Sequence, residues 1–168
     1  MDYARHFQHA DEIIEHLTPL VTGAKNPLLE ARYTGFLTVA AVTTYELAVK
    51  SIFISFAQSK HKVLGAFTES HFNRINGRIK IEAIRNDYVR KFGEKYLKKF
   101  NNNLKRTGTL YLQTNQREIT SSYDNLITWR NDFAHEGRIR AKSTFAEAAR
   151  AYNDGKKVIE CLADSMRR

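Results

Sequence analysis

The placement of proline constrains the fold of this chain more than any other feature of its sequence. Both prolines, Pro19 and Pro27, lie near the start, so about 140 later residues lack the strongest helix breaker. Evenly spaced short alternating runs, which mark a sandwich or a barrel, are not present. We therefore predict an all-α fold, an up-and-down helical bundle with a long middle loop, formed by a single domain over residues 1–168.

Apolar spacing locates the first two helices. Residues 3–21 repeat apolar side chains every three or four positions, and residues 28–56 are apolar on nearly every face, as in a central helix. Asn26 and Pro27 suit the N-cap and first position of that second helix. Although its most apolar stretch has the length of a membrane span, Glu46 and Lys50 near the middle favour a buried helix of a soluble protein.

The later elements are bounded by breaks and caps. Residues 59–80 are polar and predict a loop region with room for short helical turns. Residues 81–92 and 94–104 predict two short helices broken at Gly93, and 107–116 predict a connection. The penultimate helix is predicted to start near Asn115, with Glu118 completing a capping box, and to end at Gly137. Thr144 and Glu147 form a second capping box, which predicts the start of the last helix.

Positive charge is concentrated in the later part of the chain. The net charge of +9 divides into −1 over residues 1–70 and +10 over residues 71–168. A basic surface of this kind favours a polyanion partner, although a basic soluble protein without such a partner fits the same composition. The single cysteine, Cys161, excludes an intramolecular disulfide and predicts a small core residue. With no apolar signal segment at the N-terminus, we expect a cytoplasmic protein.

A second basic stretch carries aromatic side chains at every fourth position. Lysine and arginine are frequent over residues 90–106, where they could extend an RNA-binding surface or form a solvated face. Tyr88, Phe92, Tyr96 and Phe100 suit either base stacking or core packing, and we favour core packing.

Arg130 interrupts the apolar stripe of the penultimate helix, which continues through Ile119, Tyr123, Leu126 and Phe133. A guanidinium aimed at a packed surface needs a partner. Glu46, the one acid of the apolar second helix, is a candidate, but Glu46 can equally pair with Lys50 at the i+4 position. Asn131 and His135 share a helix face beside Arg130, and histidine is the side chain suited to proton transfer near neutrality.

The segment Arg-Asn-Asp-Phe-Ala-His-Glu-Gly at 130–137 resembles the Arg-x4-6-His signature of the HEPN superfamily, including its frequent Asn after the Arg. The upstream Leu-Ile-Thr-Trp and the ending Phe-Ala-His-Glu-Gly are similar to bacterial members found in defence and toxin loci. Tyr-Glu-Leu in the second helix and Phe-Asn-Arg-Ile-Asn-Gly at 72–77 extend the resemblance more loosely.

The resemblance implies an endoribonuclease that needs no metal and no cofactor, in which the RNA 2′-hydroxyl attacks the adjacent phosphate. His135 would transfer a proton, Arg130 would hold the phosphate, and Asn131 would orient His135 or the phosphate. Glu46 would support Arg130 if these two residues pair. Two protomers would bring their motifs together at a two-fold interface. Arg138, Arg140 and Lys142, directly after the motif, would extend the contact with RNA or form a solvated charged face.

Two other functions remain open at this point. A non-catalytic HEPN-like subunit would use the same bundle for interaction or regulation, and an RNA-binding module would bind without turnover. The resemblance also implies a toxin or antiphage role and a neutralising antitoxin or another defence-system protein as partner.

Overall fold

A computed structural model describes residues 2–74, 77–139 and 143–167 of the chain. Over these ranges the protein forms helices and no strand, which confirms the all-α prediction. The helices are α1 (Phe7–Ala24), α2 (Pro27–Lys60), α3 (Lys62–Asn73), α4 (Ile81–Ala83), α5 (Glu94–Asn115), α6 (Ile119–Glu136) and α7 (Phe145–Ser165). A 3-10 turn precedes α1 at Ala4–His6, and a π turn and a 3-10 turn follow α4 at Ile84–Tyr88 and Val89–Phe92.

Helix α2 is the central element, because it packs against α1, α3, α6 and α7. Three tyrosines join the centre of the bundle. The ring of Tyr45 on α2 stacks on Tyr123 of α6 at 5.0 Å and on Tyr152 of α7 at 5.6 Å. Each hydroxyl donates to a backbone carbonyl, at Tyr152, Ile79 and Phe7 respectively, so these large rings are buried without unpaired hydroxyls.

The burial of α2 agrees with its interpretation as a core helix. By length and composition this helix could cross a membrane, but the core helix of a soluble protein meets the same two criteria. More than half of its most apolar window is buried inside the bundle. Glu46 and Lys50, near its middle, pair with each other.

Several helix ends lie where the sequence predicts them. The Asn26 side chain accepts from the N–H groups of Leu28 and Leu29, and Pro27 is the first residue of α2. Thr144 and Glu147 form the reciprocal capping box of α7. Gly137 ends α6 in the left-handed region, at φ +69°, and donates its N–H to the Phe133 carbonyl.

The long middle loop predicted for residues 59–80 is wrong over more than half of its length. Helix α2 continues to Lys60, and after a single residue α3 begins at Lys62. His61 caps α3, because its Nδ1 accepts from the Val63 N–H. The helical pattern was hidden because α3 lies at the surface and buries only Gly65, Thr68 and Phe72.

The predicted connection over residues 107–116 is also wrong, since α5 extends through it to Asn115. Gln116, at φ +53°, ends α5, and α6 begins three residues later. Glu118 precedes α6 but its carboxylate accepts from the Thr120 and Ser121 hydroxyls rather than from a backbone N–H, so the predicted capping box is not formed. The break at Gly93 is confirmed, at φ +121°.

Candidate functional site

Helix α6 carries Arg130 and runs antiparallel to α2. Tyr123 of α6 stacks on Tyr45 of α2. Phe133 is ten residues further along α6, and its ring lies on Gly35, which is ten residues earlier along α2. A Cβ at Gly35 would overlap that ring, so the absence of a side chain allows the two helices to approach closely here. The packing places Arg130 beside α2, one turn before this close contact.

Gly77 brings the connection between α3 and α4 to the Arg130 guanidinium. A Cβ built on Gly77 would lie 3.0 Å from Nη2 of Arg130, and the backbone has φ +72°, which favours glycine. The N–H of the same residue donates to Oε2 of Glu46 at 2.8 Å. Arg130 and Glu46 therefore both contact Gly77. The Arg130 guanidinium lies next to its Cα, and the Glu46 carboxylate accepts from its N–H.

Of the two partners that the sequence leaves open for Glu46, Lys50 is the correct one, and no ion pair forms between Glu46 and Arg130. Nζ of Lys50 lies 2.8 Å from Oε1 of Glu46, and both side chains are 17% exposed. The i+4 spacing puts Lys50 within reach on the same helix, and the Gly77 N–H occupies the second carboxylate oxygen. Within the described ranges, the partly buried Arg130 guanidinium makes no hydrogen bond or ion pair.

Asn131 and His135 lie with Arg130 in the last two turns of α6. Asn131 is partly buried, whereas His135 is exposed, one residue before the end of the helix. Their i,i+4 spacing puts them on one face. Two acids of the segment, Asp132 and Glu136, both have partners. Arg138 is exposed just beyond the helix, while Arg140 and Lys142 lie outside the described residues.

An exposed apolar stripe on α2 borders this end of α6, and sequence reasoning missed it. Phe36 is 60% exposed, Val39 37% and Leu47 44%, with exposed Thr43 between them. The Phe36 ring lies 6.1 Å from the ring of Phe133 on α6. Because α2 is apolar on nearly every face, its sequence does not distinguish the one face that the bundle leaves uncovered.

The remaining sequence-based predictions concern the core. Tyr88 and Phe100 are buried, and Phe92 and Tyr96 pack against the core, so the packing interpretation of the aromatic repeat is confirmed. Cys161 is buried as predicted, and burial raises the pKa of its thiol. Over the described ranges, no group of three or more His, Cys, Asp or Glu residues could hold a metal ion.

One buried carboxylate was not predicted. Asp154 of α7 accepts from the Arg117 guanidinium at 2.8 and 3.0 Å, from the Tyr111 hydroxyl at 2.6 Å and from the Ser122 hydroxyl at 3.0 Å. These contacts join α5, α6 and α7, and they raise the pKa of Arg117. Because its oxygens are used in protein contacts, Asp154 stabilises the bundle.

Comparison with known proteins gives a match to one family. No curated protein and no solved structure shows a significant match to the chain. The model of one family, described as RiboL-PSP-HEPN, matches residues 5–167, which is nearly the whole chain and includes the Arg130 to His135 segment. The chain therefore belongs to the RiboL-PSP-HEPN family.

Proposed function

We propose that this protein is a metal-independent endoribonuclease whose site is formed by Arg130, Asn131 and His135. HEPN domains are generally associated with ribonuclease activity. The proposal rests on the guanidinium of Arg130, which is partly buried and unpaired within the described ranges, and which lies five residues before the exposed His135 in the last turns of α6. An unpaired guanidinium in this position suits a phosphate, whose oxygens match its planar fork.

The proposed reaction uses the RNA itself as nucleophile. The 2′-oxygen forms a bond to the adjacent phosphorus and loses its proton to a base, while the bond from phosphorus to the 5′-oxygen breaks and that oxygen gains a proton. The products are a 2′,3′-cyclic phosphate and a 5′-hydroxyl. In this scheme His135 transfers a proton, Arg130 stabilises the charge on the phosphate, and Asn131 orients His135 or the phosphate.

One histidine does not easily serve both the attacking and the leaving oxygen, which lie on opposite sides of phosphorus. A second copy of the chain would supply the second motif across a two-fold axis. The exposed stripe of Phe36, Val39 and Leu47 supports this arrangement, because it is an apolar surface whose first residue, Phe36, packs near Phe133 of the motif. Burying it between two copies would bring the two α6 ends close together.

Glu46 has a positioning role in this proposal. Its carboxylate holds the Gly77 N–H, and Gly77 in turn limits where the Arg130 guanidinium can lie. Glu46 therefore acts on Arg130 through the backbone and not through an ion pair. Arg138, with Arg140 and Lys142, would bind flanking phosphates, since they follow the motif directly in the sequence.

RNA cleavage assays with purified protein test the proposed activity. We expect wild-type protein to cut RNA in the presence of EDTA and to leave 2′,3′-cyclic phosphate ends. His135→Ala and Arg130→Ala should each lower the cleavage rate at least a hundredfold without unfolding the protein. Arg5→Ala, which removes an exposed arginine near the N-terminus, is the matched control and should cleave at the wild-type rate. Equal cleavage by the wild type and both motif variants would refute the proposed site.

We also propose that the activity acts as a toxin or antiphage effector, held in check by a partner protein. Expression of the wild type should arrest growth and produce RNA fragments, whereas expression of His135→Ala to the same level should do neither. Growth arrest by His135→Ala at the same level would separate toxicity from cleavage and contradict this role.

A further inference from the structure

A groove of about 450 Å³ lies outside the candidate ribonuclease site and has none of the site residues in its lining. It runs between α3 on one side and the segment from the π turn to the start of α5 on the other. Its floor is formed by aromatic rings, namely those of Phe56, Phe72, Tyr88, Phe92 and Tyr96. Phe56 of α2 lines the groove and lies about 15 Å along the helix from Glu46, so the groove and the surroundings of Arg130 are separate surfaces of the bundle.

The apolar surface continues outside the groove along α3. Phe67 is 71% exposed, Leu64 is 38% exposed, and Val63, one turn before Phe67, is 69% exposed. Leu64 and Phe67 line the groove, whereas Val63 extends the same apolar ridge beyond it. Contiguous exposed apolar surface of this kind marks a site where another molecule binds.

The edge of the groove is positively charged. Lys60 and Lys91 line it, with Nζ of Lys60 5.0 Å from the centre of the Phe56 ring, and Nζ of Lys95 lies 6.0 Å from the centre of the Tyr96 ring. Asp87 is the one acid among the described lining residues, and Nη2 of Arg78 lies 3.4 Å from its Oδ2. An occupant should therefore be apolar on one side and acidic at its edges.

We propose that this groove is a docking site for an acidic amphipathic helix of a partner protein. Apolar side chains spaced by three and four positions would enter the groove and cover the ridge of α3, and flanking Glu or Asp would contact Lys60, Lys91 and Lys95. A small molecule in the groove would leave Val63 uncovered, and the aliphatic side chains of Val63 and Leu64 offer no stacking surface to a nucleobase. The site does not depend on ribonuclease activity.

A displayed library of helical peptides tests the proposal. The library fixes apolar residues at positions i, i+4 and i+7 and lets the remaining positions vary freely between acidic, basic and neutral residues. Selection against the full chain carrying His135→Ala should enrich peptides rich in Glu and Asp. Absence of enrichment, or enrichment without an acidic bias, would overturn the proposal.

Variants of the protein then locate the binding. Phe67→Asp should weaken binding of a selected synthetic peptide at least tenfold, and Lys60→Glu with Lys91→Glu should shift the selection towards basic peptides. Both changes are at exposed positions, and unchanged thermal unfolding of the free protein checks that the fold persists. Leu110→Asp alters a leucine on α5 that is 58% exposed and lies outside the groove, and it should leave binding unchanged.

Two further measurements distinguish other occupants. A 12-nucleotide poly(U) RNA should bind the His135→Ala and the His135→Ala, Phe67→Asp proteins equally, because the groove is not an RNA site. Sedimentation should likewise give the same oligomeric state for the wild type and for Phe67→Asp. A loss of RNA binding or a change of oligomeric state caused by Phe67→Asp would overturn the assignment to a partner helix.

Discussion

At the scale of single residues, the backbone conformation of Gly77 sets how closely this residue approaches Arg130 of the candidate site. Its φ of +72° is unfavourable for any residue with a side chain, and its Cα faces the Arg130 guanidinium. Its N–H is bound by Glu46, so the glycine cannot move away without breaking that hydrogen bond. A side chain at this position would therefore carry both a conformational and a steric cost.

We predict that Gly77→Ala lowers the free energy of unfolding by about 1–3 kcal/mol, measured by urea denaturation. Gly137→Ala is the matched control, because Gly137 has nearly the same φ, +69°, but no atom within 4 Å of a built Cβ. Gly77→Ala should cost more than Gly137→Ala, because only the first displaces Arg130. An equal loss in the two variants would contradict the contact between Gly77 and Arg130.

At the scale of helices, the close approach of α2 and α6 depends on Gly35. Alanine normally stabilises a helix by up to about 1 kcal/mol relative to glycine. At Gly35, however, a methyl group would overlap the ring of Phe133, so α6 would have to move away from α2. The steric effect should exceed the gain in helix propensity because well-packed interfaces accommodate added volume poorly.

We predict that Gly35→Ala lowers the free energy of unfolding by about 1–3 kcal/mol, whereas Gly23→Ala raises it by up to about 1 kcal/mol. Gly23 is the control within α1, since nothing lies within 4 Å of its built Cβ. In a Phe133→Ala background, Gly35→Ala should no longer destabilise the protein. A double-mutant cycle measures this coupling, and additive effects would show that the ring does not set the helix spacing.

The helices also show how far local patterns predict this fold. The ends at Asn26, Gly93, Gly137 and Thr144 follow from capping and turn residues, whose effect is local. Helix α3 and the second half of α5 could not be recognised, because both lie at the surface and their polar composition resembles that of a connection. The core repeat of Ile119, Tyr123 and Leu126 was correctly recognised because buried positions keep the helical period.

At the scale of the whole molecule, the tyrosine stack couples stability to alkaline pH. Burial raises the pKa of Tyr45, Tyr123 and Tyr152 above the ordinary value near 10. Above pH 10 the unfolded chain releases these phenolic protons while the folded protein retains them. The unfolded state then binds fewer protons, so the free energy of unfolding falls as pH rises above about 10 and is unaffected by these groups below it.

We predict that Tyr45→Phe makes the free energy of unfolding less dependent on alkaline pH, by up to about 1.4 kcal/mol per pH unit above pH 10. Urea denaturation at about pH 9 and about pH 11 measures the difference for wild type and variant. The variant also loses the hydroxyl contact to Tyr152, but that loss affects both pH values equally. Identical pH dependence in the two proteins would refute the coupling.

The arrangement of two copies is a prediction at the same scale. Leu47→Asp on the exposed stripe of α2 should convert a dimer into monomers, measured by sedimentation, and should abolish RNA cleavage together with dimerisation. Leu110→Asp on α5 changes a similarly exposed leucine and should keep the dimer and the activity. A dimer that survives Leu47→Asp with full activity would place the interface elsewhere.

The sequence by itself determined the helical class, most capped helix ends, the buried cysteine and the segment from Arg130 to His135 that indicates the family. These features depend on neighbours in the chain, or on a periodic pattern within one helix. Only the tertiary structure decided that Glu46 pairs with Lys50, that Gly77 meets Arg130 and that one face of α2 stays uncovered. Gly77 and Arg130 are 53 positions apart, and the partner of Glu46 and the uncovered face of α2 depend on where the other helices lie, so these features depend on packing and not on the local sequence.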